Sequence, residues 1–164
     1  MQNYNEDGII TSKTVNTVTT TYYLDGTNII EQNDGTNTLH FYYDSNDEII
    51  GFTYNEADYF YVKNAMSDIA GIVDNSGNLV VSYEYDPWGK VLSVTGSNIE
   101  LGNLNPFRYR SYYYDSDIEM YYLQSRYYDP EVCRFINSDD VNFIGATGTE
   151  SDRKSGSAGM PRPI

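Results

Sequence analysis

Apolar and polar residues alternate along much of this chain with a spacing of two. In residues 81–86, for example, Val81, Tyr83 and Tyr85 alternate with polar residues. Successive side chains of a β-strand point to opposite faces, so this spacing is typical of a strand with one buried face. No segment of eleven or more residues carries an apolar stripe at helical spacing. The pattern therefore predicts an all-β fold built from short antiparallel strands.

Turn-forming residues separate the predicted strands at regular intervals. Residues 86–89 (Asp-Pro-Trp-Gly) place proline second and glycine fourth, which is a β-turn signature. Asp25 and Asp44, which follow two other tyrosine-containing strands, are 19 residues apart, and Asp44 and Asp86 are 42 apart. A period of about 20 residues, with one hairpin per unit, predicts a repeat in which neighbouring units complete the core. Residues 14–23 are expected to form one strand because they are rich in Thr and Val, and residues 95–106 to form a loop.

Composition narrows the function classes. The 164 residues include 24 acidic and 10 basic side chains, a net charge of −14, which argues against nucleic acid or an anionic membrane as the main partner. The 18 tyrosines and 40% hydrophobic content still suffice for a packed core. No stretch approaches the roughly 18 apolar residues of a membrane-spanning helix, and residues 1–7 do not resemble a signal peptide, so the localisation is not assigned. Cys133 is the only cysteine, which excludes an internal disulfide framework and a thiolate metal cluster, and His40 is the only histidine.

Several segments are recognisable. Residues 83–91 (YEYDPWGKV) resemble the tyrosine-aspartate (YD) repeat of bacterial RHS-type proteins. Residues 105–110 (NPFRYR), 121–130 (YYLQSRYYDP) and 134–136 (RFI) are similar to the RHS repeat-associated core that closes such arrays, and the resemblance covers about residues 20–149. The motif residues, to which we assign structural roles, are Tyr83, Tyr85, Asp86, Pro87, Trp88, Gly89, Arg126, Tyr127, Tyr128, Asp129, Pro130, Arg134 and Phe135.

The resemblance implies a fold and a role. The expected architecture is a set of antiparallel β-hairpin repeats over residues 1–94, forming a strip of a spiral YD-repeat shell, followed by a core segment over residues 95–149. Residues 150–164 are expected to be a disordered tail unrelated to the family. Such shells enclose or present a C-terminal effector in secreted or cell-surface proteins. The expected partners are the rest of a parent shell, its effector and, through open strand edges, further copies of this chain.

The chain also departs from the family pattern. No second Asp-Pro follows Asp129-Pro130, so the self-cleavage of some family members is not carried over, and no catalytic, cofactor or metal residue is assigned. Non-glycine residues stand where the family usually has glycine; these are Asp47, Ser67, Ser111, Glu119 and Cys133. If these positions have positive φ, each replacement costs on the order of 1 kcal/mol. We interpret the chain as a non-enzymatic, truncated or decaying copy of such a protein.

Alternative interpretations concern acidic clusters. Residues 44–48 and 115–119 place oxygen ligands at alternate positions, as calcium loops do, but lack the glycine and glutamate of an EF-hand, which favours hairpin turns. Asp129, Asp139 and Asp140 could form an acid–base pair. Adjacent Asp139 and Asp140 would point to opposite faces of a strand, however, so structural or solvated roles are favoured.

Two binding alternatives rest on aromatic residues. Four arginines interleave with tyrosines, which could read nucleic acid by stacking; the acidity of the chain instead favours arginines on tyrosine rings and paired with aspartates. The four are Arg108, Arg110, Arg126 and Arg134. Tyrosine and tryptophan on a shallow β-surface can also bind sugars. A carbohydrate-binding or adhesive module centred on Trp88 is therefore the alternative function.

Overall fold

The computed structural model describes residues 1–124 and 126–137, which form two antiparallel sheets. The first, here called the strip, is a ten-stranded meander in sequence order. Its strands are Gln2–Tyr4 (β1), Ile10–Val15 (β2), Val18–Asp25 (β3), Asn28–Asn33 (β4), Thr38–Tyr43 (β5), Ile49–Tyr54 (β6), Ala57–Lys63 (β7), Ile69–Asp74 (β8), Leu79–Tyr85 (β9) and Val91–Thr95 (β10). The second sheet has four strands, Tyr113–Asp115 (β11), Met120–Leu123 (β12), Arg126–Asp129 (β13) and Arg134–Asn137 (β14). This architecture confirms the all-β prediction.

Five hairpin turns of the strip share one hydrogen-bonding pattern. In each, the side-chain oxygen of the first residue accepts hydrogen bonds from the backbone N–H groups two and four residues later, as in other Asx turns. The five first residues are Asn5, Asp44, Asn64, Asp74 and Asp86. The fourth residue of each turn has positive φ, and it is Gly8, Asp47, Ser67, Gly77 and Gly89 in chain order. The aspartates therefore end strands and turn the chain, as the sequence predicts.

Two local predictions are wrong. Residues 14–23 do not form one strand, because Asn16 and Thr17 make a two-residue turn with φ of 47° and 73° between β2 and β3. Residues 95–106 are not all loop, because Ile99–Leu104 forms a helix (α1). The side chain of Asn98 caps this helix by accepting from the backbone N–H of Leu101, whose side chain is buried. Six residues are too few to show a helical stripe in the sequence.

The five positions with replaced glycines all have positive φ, between 56° and 64°, so the condition for the strain cost is met. They are Asp47, Ser67, Ser111, Glu119 and Cys133. The predicted tail over residues 150–164 lies outside the described residues, as do Asp139 and Asp140. No helix within the described ranges is long and apolar enough to cross a membrane.

Alternation along the second sheet places its large side chains in two rows, one on each face. Cross-strand register puts Tyr113, Tyr122, Tyr127 and Ile136 in what we call the inner row. The outer row contains Tyr114, Tyr121, Tyr128 and Phe135. The inner row belongs to the same buried core as side chains of β2, β3 and β5, whereas the outer row contacts the turn between β9 and β10. The strip thus contacts both faces of the second sheet.

Candidate functional site

Three tyrosine hydroxyls hold the turn between β9 and β10. The hydroxyl of Tyr109 donates to the carbonyl of Pro87 at 3.3 Å, and that of Tyr121 donates to the carbonyl of Gly89 at 2.7 Å. The hydroxyl of Tyr128 donates to the carbonyl of Trp88 at 2.8 Å. We call this arrangement the tyrosine clasp. It brings the Asp-Pro-Trp-Gly motif of the strip against the Arg-Tyr-Tyr-Asp motif of the second sheet. Trp88 and Tyr128, which this contact joins, are 40 residues apart in the sequence.

Gly89 is required at the centre of the clasp. Its φ is 97°, in the region that favours glycine, and a Cβ atom here would lie 2.4 Å from Cδ1 of the Tyr109 ring. The same ring lies 6.2 Å from that of Tyr85 and 6.4 Å, nearly parallel, from that of Tyr128. Burial raises the pKa of the Tyr85 and Tyr121 phenols. These hydroxyls therefore stay neutral hydrogen-bond donors at pH values at which an exposed tyrosine ionises.

A buried arginine anchors residues 96–112, the connecting segment between the two sheets. Arg108 is 6% exposed, and its guanidinium donates to the carbonyls of Gly102, Asn103 and Asn105 at 3.2 to 3.3 Å. The guanidinium also lies over the Tyr114 ring, with 4.6 Å to its centroid. This agrees with the prediction that arginines lie on tyrosine rings.

Sequence reasoning missed Asn105, which is fully buried. Its Oδ1 accepts from the hydroxyl of Tyr61 at 2.6 Å, and its Nδ2 donates to the hydroxyl of Tyr83 at 3.1 Å and to the carbonyl of Phe107 at 2.7 Å. An asparagine before a proline looks like an ordinary turn residue in a sequence. Nothing local to Asn105 indicates that it connects two strands of the strip to the connecting segment.

A buried ion pair forms a third link. The ammonium of Lys13 on β2 contacts the carboxylates of Asp115 and Asp117 on the second sheet and its first turn, and both Lys13 and Asp115 are buried. Asp115 and Asp117 are two of the oxygen ligands of the calcium loop considered for residues 115–119. Here they bind an ammonium group instead. Residues 44–48 likewise form one of the shared hairpin turns.

The remaining motif residues lie at the far edge of the second sheet. The guanidinium of Arg126 is 4.6 Å from the centroid of the Phe135 ring, and Phe135 is 44% exposed. Asp129 is buried, accepts from the backbone N–H of Glu131 at 2.9 Å and pairs in register with Arg134. The ion pairs between described residues include those of Lys13, Lys63, Lys90 and His40.

The chemistry of this site is that of docking between polypeptide segments. Its contacts are tyrosine hydroxyls on carbonyls, stacked rings, one buried guanidinium and one buried ion pair. Within residues 1–124 and 126–137 no three His, Cys, Asp or Glu side chains lie close enough to hold a metal ion. Trp88 differs from its neighbours because the tyrosine clasp fixes its backbone while its side chain is 57% exposed.

Comparisons with known proteins agree with this geometry. The chain is 33% identical to the tRNA3(Ser)-specific nuclease WapA of Bacillus spizizenii, over 98% of this chain and 7% of that protein. It is 34% identical to the tRNA nuclease WapA of Bacillus subtilis, again over 98% of this chain and 7% of that protein. The crystal structure of TcdB2-TccC3-TEV superposes with a TM-score of 0.63 at 16% identity, over 84% of this chain and 8% of that chain, and so shares the fold. This chain thus spans less than a tenth of the length of these proteins. A family model described as "Teneurin YD-shell" matches residues 27–154, and the chain is therefore a member of the YD-shell family.

Proposed function

We propose that this chain is a non-catalytic part of a YD shell that encloses or presents an effector within a longer, toxin-carrying parent protein. The observation that carries the proposal is that the strip holds the second sheet on both faces. The inner row shares the core of the strip, and the tyrosine clasp fixes the outer row to the turn between β9 and β10. Because these contacts join segments of the chain to each other, the role that they support is structural.

The relatives support a parent of this kind. Two of them are named as tRNA nucleases, and the superposed structure contains TccC3 together with TcdB2. Because this chain corresponds to only 7% of each nuclease, their named activity does not by itself assign catalysis to this part. We place any such activity of the parent outside the described residues.

The expected partners follow from the strand edges. The outer side of β11 is already bridged to Phe107 in the connecting segment. Among the described residues, β1, β10 and β14 each have one hydrogen-bonded strand neighbour. The backbone groups on their other side can pair with another strand. We expect them to join the remainder of the parent shell or, in the isolated chain, a second copy. Such pairing of strand edges requires no catalytic residue.

Two measurements on the purified full chain test the proposal. Incubation with tRNA should leave the tRNA intact, and size-exclusion chromatography with light scattering should show oligomers. Cleavage that co-elutes with the protein through size-exclusion chromatography would assign chemistry to this chain and overturn the non-catalytic role. A monomer with one sharp, cooperative thermal transition would contradict the role as part of a larger wall.

Carbohydrate binding is the second candidate, and the exposed Trp88 side chain is the observation that favours it. Its ring stands on a backbone fixed by Asp86 and Tyr128, so it could stack on a sugar with little loss of freedom. Binding on a glycan array that disappears in Trp88→Ala, but persists in Leu92→Ala, would support this function. Leu92 is a similarly exposed apolar residue on β10.

The interpretation as a truncated or decaying copy stays a prediction, as does the predicted boundary at residue 150. The family match extends to residue 154, four positions beyond that boundary. The sequence of the flanking DNA tests both predictions. An in-frame upstream YD array joined to this chain, with residue 150 onward continuing into a folded effector, would rule out a decaying copy.

A further inference from the structure

A second site lies between the hairpin turns of the strip and the connecting segment. It is an open cleft of about 570 Å³. One wall consists of the turn ends of β4 to β7, and includes Asp47, Glu48 and Lys63. The other wall includes Arg110 and Arg126. Clefts of this volume accommodate ligands of several residues or rings.

Backbone strain is concentrated around this cleft. Five of the eleven described non-glycine residues with positive φ line it, and they are Asp47, Ser67, Arg110, Ser111 and Gln124. A left-handed conformation costs a non-glycine residue roughly 1 to 2 kcal/mol, and such strain gathers at binding and catalytic sites. Three of the five turns with the shared pattern have glycine at the fourth position; the two that do not, with Asp47 and Ser67, are the two that line the cleft.

A substituted tyrosine leaves the cleft open. At two turns on this edge of the strip, the tyrosine before the turn donates to a carbonyl in the first two residues of the preceding hairpin's second strand. Tyr43 bonds to Ile29 at 2.8 Å, and Tyr85 bonds to Ile69 at 2.7 Å. Lys63 occupies the corresponding position at the turn between them, where a tyrosine would reach toward Ile49. Lys63 instead directs its ammonium toward Glu48, 3.8 Å away.

The two walls of the cleft carry different net charges. Arg110 and Arg126 are exposed, and neither forms an ion pair with a carboxylate of the described residues. Their guanidinium groups instead lie over the rings of Tyr109 and Phe135. Two arginines without carboxylate partners, in a chain of net charge −14, form a local positive wall. Guanidinium groups bind carboxylates in a planar, bidentate geometry.

We propose that this cleft binds an acidic, extended peptide segment, with Arg110 and Arg126 binding its carboxylates. Asp47 and Glu48 on the facing wall disfavour a compact dianion such as phosphate. Tyr113 and Tyr122 are buried against other rings, whereas Tyr112, which also lines the cleft, is half-buried, so a sugar acid is the competing ligand that the test includes. This binding is separate from the shell role proposed above, so its failure would leave that role standing.

Fluorescence anisotropy of a labelled peptide tests the proposal on the full chain. The probe is a fluorescein-labelled pentapeptide with two glutamates separated by glycine, and its control is the same peptide with glutamines. We expect at least tenfold tighter binding of the glutamate peptide, and a loss of at least fivefold in Arg110→Asn and in Arg126→Gln. Lys90→Gln, which removes one positive charge outside the cleft, should change the affinity less than twofold.

Lys63→Tyr separates binding from stability. A tyrosine here should fill the cleft and abolish peptide binding while the thermal midpoint stays equal or rises. Equal binding of both peptides, an equal loss in Lys90→Gln, or unchanged binding in Lys63→Tyr would each overturn the proposal. Displacement of the peptide by millimolar inorganic phosphate, or tighter binding of oligogalacturonate than of the peptide, would overturn the assignment to an acidic peptide.

Discussion

Gly89→Ala should destabilise the protein much more than the same change in an equivalent turn. Gly89 and Gly77 both occupy the fourth position of the shared turn, with φ of 97° and 85°. At Gly77 an added Cβ meets nothing within 4 Å, so Gly77→Ala carries only the backbone cost, about 1 kcal/mol. At Gly89 the Cβ would lie 2.4 Å from the Tyr109 ring, which has to move. Overpacking of this kind adds about 1 to 3 kcal/mol, for a total of about 2 to 4 kcal/mol.

Urea unfolding followed by tryptophan fluorescence measures the difference, because Trp88 is the only tryptophan and lies next to Gly89. The midpoint should fall in both variants, and further in Gly89→Ala, with similar slopes. The native emission of Gly89→Ala should also shift, since the ring that must move bonds to the carbonyl before Trp88. Equal losses of unfolding free energy in the two variants would refute the account of the tyrosine clasp.

Three further predictions follow from the fold. Thr17→Gly should raise the unfolding free energy, measured by chemical denaturation, by about 1 kcal/mol or more, and by more than Glu56→Gly does. Both variants change the second residue of a two-residue turn with positive φ, but only Thr17 is β-branched. Lys13→Ala should lower the unfolding free energy by about 3 to 5 kcal/mol, since it leaves Asp115 buried without the ammonium, and Asp115→Asn in the same background should recover part of that loss. Burial raises the pKa of Tyr122 to about 12, whereas an exposed tyrosine in the unfolded chain ionises near pH 10. The unfolded state therefore releases this proton first, and the unfolding free energy should fall as the pH rises above about 10. A cooperative rise in absorbance at 295 nm would show this, and gradual ionisation without unfolding would contradict it.

The turns and strands could be predicted from the sequence because their signals are local. The alternation at residues 81–86 and the Asp-Pro-Trp-Gly turn after it describe β9 and its turn without knowledge of any other segment. Positive φ at Asp47 could be predicted in the same way, from its position within the turn. The helix at Ile99–Leu104 could not, because its stability comes from packing of Leu101 and Gly102 against β9 and β10 rather than from a long periodic pattern.

The docking contacts required the three-dimensional structure. Asn105 and Tyr61 are 44 residues apart, and Lys13 and Asp115 are 102 apart, so neither pairing leaves a local signal. The sequence motifs contain Trp88, Gly89 and Tyr128 of the clasp, but nothing in their pattern indicates that Tyr109 and Tyr121 bond to the same turn. A period of about 20 residues indicates which elements repeat, but not which face of a repeat contacts the closing segment.

The replaced glycines do not behave as a uniform set of losses. At about 1 kcal/mol each, five would cost an amount comparable with the 5 kcal/mol at the lower end of typical domain stability. Ser111 Oγ, however, donates to the carbonyl of Ser67 at 2.8 Å, and Asp47 accepts from Asn28 at 3.2 Å. A hydrogen bond contributes roughly 1 kcal/mol, enough to offset one such strain. Glu119 has no side-chain hydrogen bond within the described residues, so its cost is not offset in this way. Cys133, which lies outside the cleft, likewise donates from Sγ to the carbonyl of Pro130 at 3.6 Å, so compensating bonds occur both within and beyond the cleft. The cost of each replacement is thus set at its own turn, by what the new side chain can reach there.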